Sequence, residues 1–160
     1  MIAPNTSREA AMRHRIDTMP GLSLVVDALD VSDIPRCLVL IAIACADVSG
    51  IGAEPDVADA FDQWRTGGRI SESTMTALER RGSRAELEAG DPRLDRATRD
   101  IAFRRARALA CLRFACVTGA DESQLMLREV LRESAYEAAH AITTAGVVGV
   151  VRSFAVSDPG

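Results

Sequence analysis

The sequence predicts an all-α protein, a single-domain bundle of about six helices. Three observations carry that expectation. Aromatic residues make up only 4% of the 160 residues, so a core has to be filled by Ala, Leu, Val and Ile, whose small side chains let helix axes approach closely. Apolar residues recur at spacings of three and four, the period of an amphipathic helix. The stretches between them carry helix punctuation: Pro20-Gly21, Pro35, Gly50-Ile51-Gly52, Pro55, Gly67-Gly68 and Pro92. A chain of this length can bury most of its unfolded surface without metals or disulfides. One domain over 1–160 is therefore expected, with 1–6 and 155–160 as flexible ends.

Charge narrows the classes of partner. The 23 acidic residues outnumber 19 basic ones, giving a net charge of −4. Every basic residue is an arginine, which reads as the coding bias of a GC-rich genome rather than selection for bidentate chemistry. The N-terminal stretch up to Gly21 has no apolar core of the length a secretory signal needs, so a cytoplasmic protein is expected. The most apolar run, Cys37 to Ala46, covers about half of the roughly 20 residues that cross a bilayer. It reads as a buried helix, and no membrane association is expected. Cys37, Cys45, Cys111 and Cys116 all lie among apolar residues and form no C-x-x-C pair, so reduced, inert thiols are expected, and no cofactor.

Taken in order, a first helix is expected from Ser7 to Thr18, ended by Pro20-Gly21. The following "LSLVVDAL" fits a strand or a short helix equally. Ser32 or Asp33 caps the next helix, with Pro35 in its first turn, where a missing N–H costs nothing. That helix, near 34–47, is apolar nearly all round and belongs at the centre of the bundle. Gly50 and Gly52 lack the preceding strand and the third glycine of a phosphate-binding loop. Pro55 opens a helix from Asp56 to Arg65 with Val57, Ala60, Phe61 and Trp64 on one face. Ser71 caps another, carrying Met75 and Leu78 inward and stopping near Gly82. Ser83 and Glu86 have the spacing of a capping box, which predicts a fresh start there and an end at Gly90. Asp91 and Pro92 then fit as the cap and first residue of a long helix near 92–118.

That helix raises the sharpest functional question, because arginines crowd its first half and nearly vanish from its second. Leu94, Ile101, Ala108 and Leu112 share one face, with Arg93, Arg96, Arg104 and Arg107 opposite. Asp95 precedes Arg99 by four and Asp100 precedes Arg104 by four, the favourable orientation for helical ion pairs. Such carboxylates weaken a phosphate-binding face, which needs uncompensated positive charge. The expectation is a structural helix, wet in its first half and buried in its second. Arg105 falls in the apolar sector and must reach an edge, meet a carboxylate, or anchor a partner.

A last helix is expected near 121–150. Glu137 and His140 repeat the Glu-x-x-His spacing of carboxylate-bridged di-metal bundles, but such a site needs two of these motifs and two further glutamates. They are weak metal candidates and read as a solvated face, with Tyr136 and His140 packing one turn apart. The run "GVVGVV" from Gly146 is poor helix former and is expected to fray or extend. With two histidines, neither beside a nucleophile, no catalytic triad is expected.

The stretch from Cys37 to Met75 resembles the opening of a family of small all-helical immunity proteins encoded beside bacterial polymorphic toxins. The shared pattern is an apolar helix ending in Cys45-Ala46, a helix opened by Pro55 and ending in Trp64, a turn at Gly67 or Gly68, and a helix capped by Ser71. The later half departs from the family, keeping only "AYEAAHAI" of its histidine-containing alanine helices. The resemblance implies binding and neutralising a partner protein, without chemistry. The leading expectation is thus a non-catalytic helical interaction module that binds a protein partner or self-associates, with Arg96, Arg99, Arg104, Arg105, Arg107 and Trp64 as contact candidates. The alternative is a nucleic-acid-associated regulator using the arginine-rich helix face.

Overall fold

Pro20 begins a helix rather than ending one. In the computed structural model, which describes residues 15–117 and 123–156, residues 15–17 are helical, a tight turn follows, and Pro20 sits in the first turn of α1 (Pro20–Ala28). Its fixed φ and missing N–H suit that position. Most of the expected helix from Ser7 and the outer parts of the expected flexible ends, 1–6 and 157–160, lie outside the described residues. The undecided stretch "LSLVVDAL" is helical, with Leu22 and Val26 buried one turn apart.

A 3₁₀ turn (Val31–Asp33) is capped by the Asp30 side chain, which accepts from the Ser32 amide at 2.9 Å. It leads into α2 (Ile34–Ser49), with Pro35 in the first turn as expected. Seven residues of α2, including Leu38, Ile41 and Cys45, are buried. The helix is central, packing against α5, α6 and α7 described below, yet Leu40, Ile43 and Val48 are exposed, so it is not enclosed all round. Gly50, at φ 75°, ends it in the left-handed conformation that lets the Ile51 and Gly52 amides donate to the Ala46 carbonyl. The two glycines are a helix stop.

Helix α3 (Pro55–Gly67) buries Val57 and Ala60, half-buries Phe61 and Trp64, and ends on Gly68 at φ 69°. Ser71 caps α4 (Glu72–Ala89), accepting from the Thr74 amide. The expected break at Gly82 is absent. The capping-box spacing of Ser83 and Glu86 is coincidental, since α4 runs straight through both, and Gly82 meets the α5 residue Leu109 at the crossing of the two helices. A Cβ built at Gly82 would touch the Leu109 Cβ at 4.0 Å, an ordinary contact. Because a mid-helix glycine costs roughly 0.5–1 kcal/mol against alanine, Gly82→Ala is expected to stabilise the protein by about that amount, read as a higher urea midpoint at unchanged slope.

The long helix also starts later than expected. Asp91-Pro92 forms a turn in which Asp91 accepts from the Arg93 amide, and α5 runs Arg96–Val117 with Asp95 accepting from the Thr98 amide at 2.7 Å. Asp95 is therefore the cap, and the predicted Asp95–Arg99 and Asp100–Arg104 pairs give way to a loose Arg96–Asp100 contact at 3.9 Å. After residues 118–122, which lie outside the described residues and include the expected start at Asp121, Ser123 caps α6 (Gln124–Ala141). The expected continuous helix to 150 is broken at Ile142, whose φ and ψ of −110° and −86° are not helical. Thr143 accepts from the Gly146 amide and starts α7 (Thr144–Val156). The break turns the valine-rich stretch back onto the bundle, so Val147 and Val151 are buried against α1, α2 and α6. Burial outweighs the poor intrinsic propensity of "GVVGVV".

The described residues thus form an all-α fold without strands, in seven α-helices around one shared core. Four contiguous layers of contact organise it: α3 on α4, α4 on α5, α5 on α2 and α6, and α7 against α1, α2 and α6. Arg128 of α6 ties α1 in, donating to the last-turn carbonyls of Val26 and Leu29 at 3.0 and 2.6 Å.

Candidate functional site

The most concentrated group of charges is where α4, α5, α6 and the segment before α1 converge. Glu137, which the sequence placed on a solvated face, is buried, its side chain only 7% exposed. One oxygen accepts from Arg107 at 2.7 Å and the other from Arg15 at 3.1 Å. Arg107 also donates to Glu86, and Arg15 to Glu133 at 3.3 Å. The order of charges, Glu86, Arg107, Glu137, Arg15, Glu133, alternates in sign, which is what permits a carboxylate to lie this deep.

Aromatic rings frame the cluster. The Arg15 guanidinium lies 4.4 Å from the Tyr136 ring centre and that of Arg107 lies 5.4 Å from Phe103, both within cation–π range. His140 packs edge-on against Tyr136 at 4.8 Å and Phe103 at 6.0 Å, so the expected Tyr136–His140 stacking one turn apart is present. Of the weak metal candidates, Glu137 has both carboxylate oxygens taken up by guanidinium groups, and His140 packs on aromatic rings.

Burial pushes the Glu133 carboxyl above the ordinary glutamate range, with Arg15 pulling it down and Glu137 and Glu129 adding to the rise. A raised value means that the fold favours the protonated form. The stabilisation is complete below the ordinary carboxylate range and is lost as pH climbs through the raised folded value. Glu133→Gln is accordingly expected to flatten the stability profile just above the ordinary glutamate range, read in urea titrations at a series of pH values across that range.

The same physics holds thiols in their protonated form. All four cysteines are free and buried; burial, with Asp33 contributing, pushes Cys37 up to about 12, and burial pushes Cys116 up to about 11. Neither carries appreciable thiolate near neutral pH.

The arginines of α5 divide differently from the sequence expectation. Arg107, assigned to the wet side, is the one that is drawn inward, with its side chain 19% exposed. Arg105, assigned to the apolar sector, is exposed. The angular phase was right, since Leu109 and Leu112 in that sector are buried; what differs is the level along the axis. Contacts of α5 with α6 run from Cys111–Ser134 through Arg107–Glu137 to Phe103–His140, and α6 ends at Ala141. On the other side, Cys45 of α2 neighbours Cys111, and α2 ends one turn later at Ser49. Neither neighbour reaches far past Phe103. At 1.5 Å per residue, residues 96–103 project about 12 Å beyond them, flanked among the described helices by the end of α4.

That projection and the two residues just below it carry the remaining contact candidates. Arg96, Arg104 and Arg105 are exposed and Arg99 is half-buried. Ile101 and Phe103 are exposed at 49% and 42%, with Leu87 of α4 exposed nearby in sequence order on the same hairpin. Trp64 lies apart from them, half-buried on α3, which packs on α4 alone among the larger helix contacts. The sequence missed Arg15, Glu86 and Glu133 as cluster members, because their partners lie on other helices and no local spacing announces them.

The geometry defines an all-α bundle with an internal ion cluster and one projecting helical hairpin. No protein-family profile, curated protein or solved structure matches the chain. No described helix is long and apolar enough to cross a membrane.

Proposed function

We propose that the chain is a non-catalytic protein-interaction module of the immunity or antitoxin-like kind, and that it acts through the hairpin of α4 and α5. The observation that carries this reading is the exposure of Ile101, Phe103, Arg104 and Arg105 at and just beside the level where α2 and α6 end, leading into the part of α5 that projects past them. Arginine beside aromatic and aliphatic side chains is the composition of binding hot spots. The carboxylates of Asp95 and Asp100 along the same segment favour a protein surface over a phosphate backbone.

The test is co-expression with the products of the genes flanking its own, followed by size-exclusion chromatography and self-association measurements on the chain alone. One stoichiometric complex or a defined oligomer is expected, and Arg105→Glu should weaken the association roughly tenfold or more. A chain that joins none of these products and stays monomeric, or one that binds duplex DNA with steep salt dependence, overturns the proposal.

A further inference from the structure

The projecting half of α5 continues the seam that is buried lower down the same helix. Ala108 and Leu112 are fully covered, and two and three turns toward the N-terminus from Ala108 the same face presents Ile101 and Ala97 to solvent. Flanking that stripe are Asp100 and Arg104, both exposed and spaced by one helical turn. Asp100 makes a loose 3.9 Å ion pair with Arg96.

Charge decides what kind of surface fits. From Ser83 to Arg105 the hairpin holds six arginines against five carboxylates, so its field is close to neutral and alternates in sign over short distances. A strongly charged partner gains little from such a surface, whereas an antiparallel copy of it is complementary. A two-fold axis at the level of Ala102 sets Asp100 opposite the second copy's Arg104, and by symmetry Arg104 opposite the second copy's Asp100. The same axis leaves the two Ile101 residues only about 3 Å apart along the helix direction, at the centre of the contact. This is the isologous arrangement of two-fold dimers, in which one patch serves both sides.

We infer that the α4–α5 projection is a homodimer interface, with Ile101 paired across a two-fold axis between two reciprocal Asp100–Arg104 contacts. The inference rests on the interaction-module reading and names its partner as a second copy of this chain. In the dimer each projecting tip lies alongside the other, so both lose their exposed seam together.

Sedimentation equilibrium of the purified full chain tests it, with far-ultraviolet circular dichroism to verify that each variant is folded. The wild type should sediment as a dimer at micromolar concentration. Ile101→Asp should raise the dissociation constant roughly tenfold or more. Asp100→Arg and Arg104→Asp should each weaken the dimer several-fold, and the two together should restore it, because the reversed charges again face each other. A monomeric wild type overturns the inference, as does a dimer indifferent to Ile101→Asp, or a double reversal no tighter than either single. If the chain is monomeric alone but forms a complex with a flanking gene product, this inference fails and the interaction-module reading stands.

Discussion

Replacing Glu137 with leucine is expected to destabilise the protein by about 3 kcal/mol, the lower end of the cost of breaking a buried ion pair. The side chain removed is 7% exposed and neutralises two guanidinium groups at once, those of Arg107 and Arg15. Arg107 retains Glu86, and Arg15 is about half exposed and retains Glu133, which keeps the loss from being larger. In a domain of this size the change corresponds to a fall in Tm of about 6–12 °C. The companion variant decides the mechanism. Arg107→Met combined with Glu137→Leu should recover much of the loss, since well-packed apolar groups replace a buried ion pair at little cost, and the double-mutant cycle should show a coupling of at least about 1 kcal/mol. A Glu137→Leu variant as stable as wild type would show that the cluster does not hold the four segments together.

Leu109→Ala should cost a similar amount, about 2–5 kcal/mol, through lost burial and a cavity that its neighbours fill only in part. Leu109 is fully buried where α5 crosses α4, and Gly82 faces it with no side chain able to move into the space. Denaturant unfolding at constant slope measures the loss. The two variants act at different helix contacts and remove different physics. Added salt should change neither effect much, since the Glu137 pair with Arg107 is buried and Leu109 carries no charge.

Local signals in the sequence were sufficient for most of the helices and insufficient wherever a distant helix decides. Pro35, Pro55, Gly68 and Ser71 act where the sequence placed them, because each works on its own backbone within one turn. Gly82 and Ser83 carried the right letters for a break, yet α4 continues, since its packing on α5 rewards an unbroken helix and the crossing tolerates a glycine there. Pro20 was ambiguous in principle: the same residue can follow one helix or open the next. The division of α5 into a wet and a buried half was legible in the distribution of its arginines, but the exchange of roles between Arg105 and Arg107 was not. Helical phase is encoded in one strand of sequence, whereas the point at which α2 and α6 stop is a property of three. For the same reason Glu137 read as a solvated residue. Its partners Arg15 and Arg107 lie 122 and 30 positions away, and only the fold brings them together.

The ion cluster and the hairpin are two uses of one residue type. Arg107 and Arg15 bind the bundle to itself, while Arg104 and Arg105, a few residues up the same helix, are left to solvent beyond the end of α2. The distinction is set by level along α5, and it is the basis for assigning structure to one half of that helix and contact to the other.

Amide hydrogen exchange along α5 tests that division most directly, followed first at low concentration and then after association with a second copy or a protein partner. Slow exchange is predicted from Ala106 toward Val117 in both conditions, with Arg96 to Phe103 exchanging much faster in the dilute chain and gaining protection on association. Uniform protection of the whole helix in the dilute chain, or an association that leaves Arg96 to Phe103 unchanged, would contradict it.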